Sequence, residues 1–150
     1  MKEKYEKYLE KIELSSEPIK NNVERIIDYA EKLCNEEIIN IFVDDYYKED
    51  GSREYGSLWL ISERYFCEAR NFRSTKEYDI DVARVKNSLI YFRAYIKDYD
   101  FKSANKESRL RIECANEAET SFQMRASHKN CSNLSEIIDK YIRPNMEHME

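Results

Sequence analysis

Apolar residues recur at helical spacing over roughly the first 36 residues, and this pattern predicts two helices. The first runs through Ile12 and is rich in charge, with a thin apolar stripe that also contains Tyr5 and Leu9. The second is expected to begin after Ser16, a residue type that caps helix N-termini, and to run to about Glu36. We expect the apolar stripe to pack on the rest of the chain or to pair with the same helices of a second copy, as a homodimer.

From residue 38 onward the hydrophobic period changes to two, which predicts seven strands and a closing helix. Short turns between the strands require mostly antiparallel neighbours, because parallel strands need long crossover connections. The closing helix is expected to be capped by Ser132 or Asn133, to bury Leu134 and to end at Pro144. The predicted strands are 38–47, 55–62, 65–72, 78–85, 89–99, 109–114 and 121–126.

These elements predict an α+β fold: N-terminal helices, then an antiparallel seven-stranded curled sheet or partial barrel, capped by the C-terminal helix. We expect one domain over residues 1–150. Within it, 1–37 is a helical segment, 38–143 contains the sheet and the last helix, and 144–150 is a tail.

Two segments resemble the PH-like fold, in particular bacterial PH and GRAM-type domains. Residues 56–65 (GSLWLISERY) resemble the hairpin pattern G-x-L-x-L-T-x-x-R, and residues 80–85 (IDVARV) resemble the strand pattern I-x-L-x-x-I. The resemblance covers about residues 38–143 and implies seven strands followed by one helix. Phosphoinositide-binding members have a basic first hairpin, whereas here Lys48 and Arg53 stand among several acidic residues. An NTF2-like or cystatin-like α+β fold, in which a helix packs into a curved sheet, is the alternative.

Composition excludes several classes of protein. The 150 residues contain only two glycines and two prolines, which argues against collagen-like repeats and glycine-rich phosphate loops. No apolar run approaches the roughly 20 residues that a membrane-spanning helix needs, and the charged N-terminus does not resemble a signal peptide. The expected location is therefore the cytoplasm. A formal net charge of −5 disfavours non-specific binding of nucleic acid by the whole molecule.

Few residues suit catalysis or metal binding. The four cysteines form no C-x-x-C pair, so buried, reduced thiols are expected. His128 and Cys131 have a ligand-like spacing, but a structural zinc site needs four ligands. Asp44 and Asp45 are adjacent on a strand and should point to opposite faces, which predicts a solvated hairpin end rather than a cation site. We therefore predict no catalytic residue, no cofactor, no metal and no enzymatic activity.

The last three strands carry the most distinctive surface. If Ile90, Phe92, Ala94 and Ile96 face inward, the residues between them face outward. Residues 76–129 sum to a charge of +2 in a chain of net charge −5, so the charge distribution is bipolar. Tyrosine and arginine together are typical of protein-binding hot spots. The predicted partner-binding residues are Tyr91, Arg93, Tyr95, Lys97, Arg109, Arg111 and Arg125.

The sequence therefore predicts a non-enzymatic module that binds another protein, for example a phage-type inhibitor, an immunity protein or a small adaptor. The first alternative is a domain that binds a lipid or a small anionic ligand in the mouth of the sheet through Arg93, Arg109, Arg111 or Arg125. The second is binding of single-stranded nucleic acid through the tyrosine and arginine residues.

Overall fold

The computed structural model describes residues 1–74 and 77–146. It confirms the predicted α+β class and element order. A π-helical turn (Ile138–Ile142) and a 3-10 turn (Arg143–Asn145) follow the last α-helix. In chain order the other elements are α1 (Glu3–Lys11), α2 (Glu17–Cys34), β1 (Asn40–Tyr47), β2 (Arg53–Ile61), β3 (Tyr65–Arg70), β4 (Asp79–Arg84), β5 (Leu89–Tyr99), β6 (Ala104–Asn116), β7 (Ser121–Ser127) and α3 (Asn130–Ile137).

The seven strands lie in two sheets rather than in one continuous sheet. The first has the order β1-β2-β3-β4 and the second has the order β5-β6-β7. Neighbouring strands are antiparallel, with Leu60 opposite Cys67 in the first sheet and Ile112 opposite both Ala94 and Met124 in the second. Seven strands followed by a helix is the order on which the resemblance to the PH-like fold depends. The resemblance itself, like the cystatin-like alternative, stays a prediction.

The chain divides into two compact units. Unit 1 comprises residues 1–43 and 56–83, and unit 2 comprises residues 44–55 and the chain from Arg84 onward. All three boundaries fall within strands: β1 passes into unit 2 after Val43, β2 returns to unit 1 after Tyr55, and β4 passes into unit 2 after Ala83. The expectation of one domain over residues 1–150 stays a prediction.

In unit 1 the helices bury the predicted apolar stripe. Leu9 and Ile12 of the N-terminal segment are fully buried, and the Tyr8 hydroxyl accepts a hydrogen bond of 2.8 Å from the backbone N–H of Val43. Ser16 occupies the predicted N-cap of α2, and Asn35 ends this helix in the left-handed conformation that asparagine tolerates. The stripe is thus covered within unit 1, and dimerisation through the helices stays a prediction.

In unit 2, α3 packs on β6 and β7 and buries Leu134. The helix begins at Asn130, so the predicted caps, Ser132 and Asn133, lie inside its first turn. Pro144 does not end the helix as predicted, because the α-helix gives way to the π-helical turn after Ile137 and Pro144 lies within the 3-10 turn that begins at Arg143. The predicted tail is ordered at its beginning, and the rest of it, from residue 147, lies outside the described residues.

Candidate functional site

All seven predicted partner-binding residues lie on one face of the three-stranded sheet. Residues that are opposite in register share a face, and β6 places Arg109 opposite Lys97 and Arg111 opposite Tyr95. Arg111 is also opposite Arg125 on β7. We call this surface the Tyr/Arg face; its members are Tyr91, Arg93, Tyr95, Lys97, Arg109, Arg111 and Arg125.

The members of the Tyr/Arg face differ in exposure. Tyr91 and Tyr95 are 44% and 52% exposed, which is high for aromatic residues. The Arg93 side chain is 63% exposed and donates a hydrogen bond of 2.6 Å to Glu113, whereas Arg125 is about half as exposed, at 32%. The face therefore has an open part on β5 and a more enclosed part toward β7.

Three of the four apolar residues of β5 that the sequence predicts to face inward are exposed, and the fourth, Phe92, is half-buried. Ile90 and Ile96 are 51% and 45% exposed, and Ala94 is also exposed, so the expectation that they face a core is wrong. The reason is the position of β5 at the edge of its sheet, since α3 packs on β6 and β7. Ile90 additionally lies at a break in register between Leu89 and Tyr91.

Asp44 fixes Arg125 and is not solvated as predicted. Its carboxylate is 4% exposed and accepts hydrogen bonds from Arg125 Nε at 3.1 Å, Nη2 at 2.6 Å and the backbone N–H at 2.6 Å. The guanidinium also lies 3.8 Å from the centre of the Tyr46 ring. Burial raises the pKa of Asp44, and the hydrogen bonds and charge of Arg125 oppose that rise. Arg125 is thus held in place on the Tyr/Arg face.

Asp45 is fully buried and is the acceptor of a second cluster. It accepts from Arg53 Nε at 2.9 Å, Asn130 Nδ2 at 2.7 Å, and both the backbone N–H (3.2 Å) and the hydroxyl of Ser127. The two adjacent carboxylates therefore accept backbone N–H groups of Arg125 and Ser127, two alternate residues of the edge strand β7. Such capping protects a strand edge from pairing with other chains.

Three further arginines of unit 2 lie over tyrosine rings. The guanidinium carbon is 4.2 Å from the ring centre in the pair Arg109–Tyr47, 5.1 Å in Arg111–Tyr95 and 4.9 Å in Arg53–Tyr55. Cation–π contacts at exposed sites contribute about 0.5–1 kcal/mol each. Arg109 also donates to the carbonyl oxygens of Lys106 and Ser108. Contacts with neighbouring groups thus position the guanidinium groups of the face.

Sequence reasoning missed both aspartates, although a signal was present. Asp44 and Asp45 directly follow Ile41–Val43, three apolar residues that are buried in β1. Carboxylates that continue a buried strand are more often paired than solvated, because an unpaired buried charge is costly.

The residues considered for metal binding or thiol chemistry do not form a cluster. Within residues 1–74 and 77–146, no three side chains of the metal-ligating types come together. The four cysteines are free and buried, and burial raises the pKa of three of them to about 12. We call Cys67, Cys114 and Cys131 the three high-pKa thiols. His148 lies outside the described residues.

Unit 1 has an open pocket of about 520 Å³ between α2 and the region of β4. The Tyr29 and Tyr78 rings in its wall are 6.3 Å apart, and Lys32 is its charged group. None of the arginines predicted for the small-ligand alternative lines it. Those arginines lie instead on the Tyr/Arg face of unit 2.

Among the described residues, no helix is long and apolar enough to cross a membrane. Comparisons of the chain with protein-family models, with curated proteins and with solved structures each gave no match.

Proposed function

We propose that this chain is a protein-interaction module that binds an acidic surface of another protein through the Tyr/Arg face. The observation that carries the proposal is the open part of this face. There, the exposed rings of Tyr91 and Tyr95 lie beside the cationic groups of Arg93, Lys97 and Arg111. Tyrosine and arginine are the residue types that contribute most to protein–protein binding energy.

The positive charge of the Tyr/Arg face favours a partner protein with an acidic surface. Five of its seven members are cationic, and Glu113 is an acidic residue in register with Arg93. The face is therefore positive although the whole chain has a net charge of −5. Acidic groups on the partner would be attracted to the face and repelled by the rest of the chain, which favours one orientation of docking.

The prior positioning of the arginines also supports binding. Immobilising a long side chain at an interface costs about 0.5–1.5 kcal/mol. Asp44 already holds Arg125, and the rings of Tyr47 and Tyr95 already hold Arg109 and Arg111, so part of that cost is met before the partner arrives. The same contacts count against single-stranded nucleic acid, because a guanidinium lies over each of these rings, where a base would stack.

An inhibitor, an immunity protein and an adaptor would all use the face in this manner. The proposed activity is binding alone, with no chemical step assigned to any residue of the face.

The test is affinity purification from native lysate, followed by titration calorimetry with the purified partner. We expect Arg93→Glu/Arg111→Glu to lose the partner, with affinity at least 100-fold lower, or about 2.7 kcal/mol. The control variant is Lys102→Glu/Lys106→Glu, which makes the same charge change at exposed residues of unit 2 outside the face. It should bind as the wild type does.

Two results would overturn the proposal. The first is a partner that binds the Arg93→Glu/Arg111→Glu variant with unchanged affinity. The second is a wild-type protein that enriches no protein and instead binds a single-stranded oligonucleotide or anionic vesicles, with binding lost in the same variant. Circular dichroism of each variant establishes that the fold is retained.

A further inference from the structure

We propose that two copies of this chain pair through the outer edges of β5, antiparallel, about a two-fold axis at Ala94. The two three-stranded sheets would then join into one sheet of six strands. This inference goes beyond the proposed function, because it concerns the edge of the sheet and a second copy of the chain rather than the Tyr/Arg face and another protein.

The two edges of the three-stranded sheet differ in whether their outward-facing backbone groups have hydrogen-bond partners. On β7, the carboxylates of Asp44 and Asp45 occupy edge N–H groups. In the part of the chain that the structure describes, β5 is paired along Tyr91–Lys97 with β6 alone. An edge strand with exposed apolar side chains is a ready site for pairing with another strand.

The exposure of β5 fits an edge that a second strand would cover. It presents four large apolar or aromatic side chains that are 44–52% exposed, on both faces of the sheet. These side chains are Ile90, Tyr91, Tyr95 and Ile96.

The charge pattern of β5 indicates the register in which the two copies of this strand would pair. A two-fold axis perpendicular to a sheet keeps each face on its own side, so the axis must pass through a residue. With the axis at Ala94, Arg93 lies opposite Tyr95 of the second copy, and Tyr91 lies opposite Lys97. Both are cation–aromatic pairs on the Tyr/Arg side. On the other side, Phe92 lies opposite Ile96, an apolar pair.

Moving the axis by one residue in either direction is unfavourable. An axis at Arg93 sets this residue opposite its own copy, and an axis at Tyr95 sets Arg93 opposite Lys97. Like charges directly opposite each other are destabilising. The small side chain of Ala94 also allows close approach at the axis, where each residue meets itself. Charge complementarity therefore favours a second copy with the axis at Ala94 over these two registers, and Ala94 is also the centre of the regular segment Tyr91–Lys97, which lies between two breaks in register.

Cysteine cross-linking tests the register directly. In the proposed dimer the two Ala94 Cβ atoms are roughly 4.5–5.5 Å apart, close to disulfide geometry, so Ala94→Cys should form a covalent dimer under mild oxidation. Lys97→Cys alone should not, because its two copies are separated by six residues of strand, or about 20 Å. A mixture of Tyr91→Cys and Lys97→Cys should cross-link, whereas each alone should not. The native cysteines are buried and free, so they compete little.

Sedimentation equilibrium tests the association itself. We expect the wild type to be dimeric in the micromolar range and Ala94→Lys to dimerise at least tenfold more weakly, because two ammonium groups meet at the axis. Ala94 is exposed, so the monomer should fold normally. The control is Val82→Lys, which places the same charge on another exposed edge strand, β4, and should leave dimerisation unchanged.

The proposal is wrong if the wild type stays monomeric throughout the micromolar range, or if Lys97→Cys cross-links alone and Ala94→Cys does not. Neither result would affect the proposed function, since Arg93→Glu/Arg111→Glu is scored by loss of the partner protein.

Discussion

Replacing Asp45 with asparagine should be one of the most damaging single-atom changes available in this chain. The change removes the negative charge and turns one of two acceptor oxygens into an NH₂ donor. Among the described residues, the carboxylate accepts hydrogen bonds from Arg53, from Asn130 and from the N–H and hydroxyl of Ser127. The new NH₂ group would therefore face donors.

The expected cost follows from burial. Breaking a buried ion pair costs about 3–5 kcal/mol. The Asp45 side chain is 0% exposed, but that of Arg53 is 20% exposed and recovers some hydration, so we expect a loss near the lower limit, about 3 kcal/mol. The matched control is Glu113→Gln, which removes the charge from the Arg93–Glu113 pair, with side chains 63% and 34% exposed. Exposed pairs contribute roughly 0–1 kcal/mol, so this control should stay within about 1 kcal/mol of the wild type.

Urea unfolding measures both values. The single tryptophan, Trp59, lies in unit 1, whereas Asp45 lies in unit 2, so far-UV circular dichroism should be recorded together with fluorescence. For an m-value near 2 kcal/mol/M, the midpoint of the Asp45→Asn variant should fall by roughly 1.5 M. The reasoning is refuted if Asp45→Asn costs less than about 1 kcal/mol, the limit for an exposed pair, or no more than Glu113→Gln.

Arg125→Met should be much more destabilising at pH 7.5 than at pH 4.5, because burial already raises the folded-state pKa of Asp44 and loss of the guanidinium raises it further. The folded variant then binds a proton that the unfolded chain releases above about pH 3.9, so its stability falls as pH rises. Equal losses of stability in urea at both pH values would contradict this. The three high-pKa thiols should resist iodoacetamide at pH 8 in the native protein, since a pKa of about 12 leaves few thiolates, and should all react in urea; peptide mapping that finds rapid native labelling would count against their burial. Asn35→Val should lower the free energy of unfolding by about 1–2 kcal/mol, because a β-branched residue is strained at φ 56°, whereas Asn35→Gly should not; equal thermal midpoints for the two variants would contradict this.

Local alternation was sufficient to predict the Tyr/Arg face. Side chains two apart on a strand share a face, and β5 keeps this period from Tyr91 to Lys97, so the outward set followed from the sequence alone. The same alternation could not predict whether the opposite face is covered. Ile96 is exposed whereas Leu110, its partner in register, is buried, because α3 packs on β6 and β7.

The partners of the two aspartates were beyond the reach of sequence reasoning. Asp44 bonds Arg125 across 81 positions of the chain, and Asp45 bonds Asn130 across 85. Periodicity describes neighbours a few residues apart and has no means of pairing groups at that separation. The division into two units leaves no linker in the sequence, since its boundaries fall within strands β1, β2 and β4.

The hairpin from Asp44 to Tyr55 belongs to unit 2, although the chain on both sides of it belongs to unit 1. Neither unit is therefore an uninterrupted stretch of chain, and no single cut releases either of them whole. A fragment that ends at Ala83 would keep both aspartates and lose every donor they have beyond that point. During synthesis, the hairpin leaves the ribosome before Arg125 has been added to the chain, so its two carboxylates stay hydrated until the donors after residue 83 have been made. A recombination event that exchanged only the chain after residue 83 would likewise separate the two halves of this network, which must be inherited together.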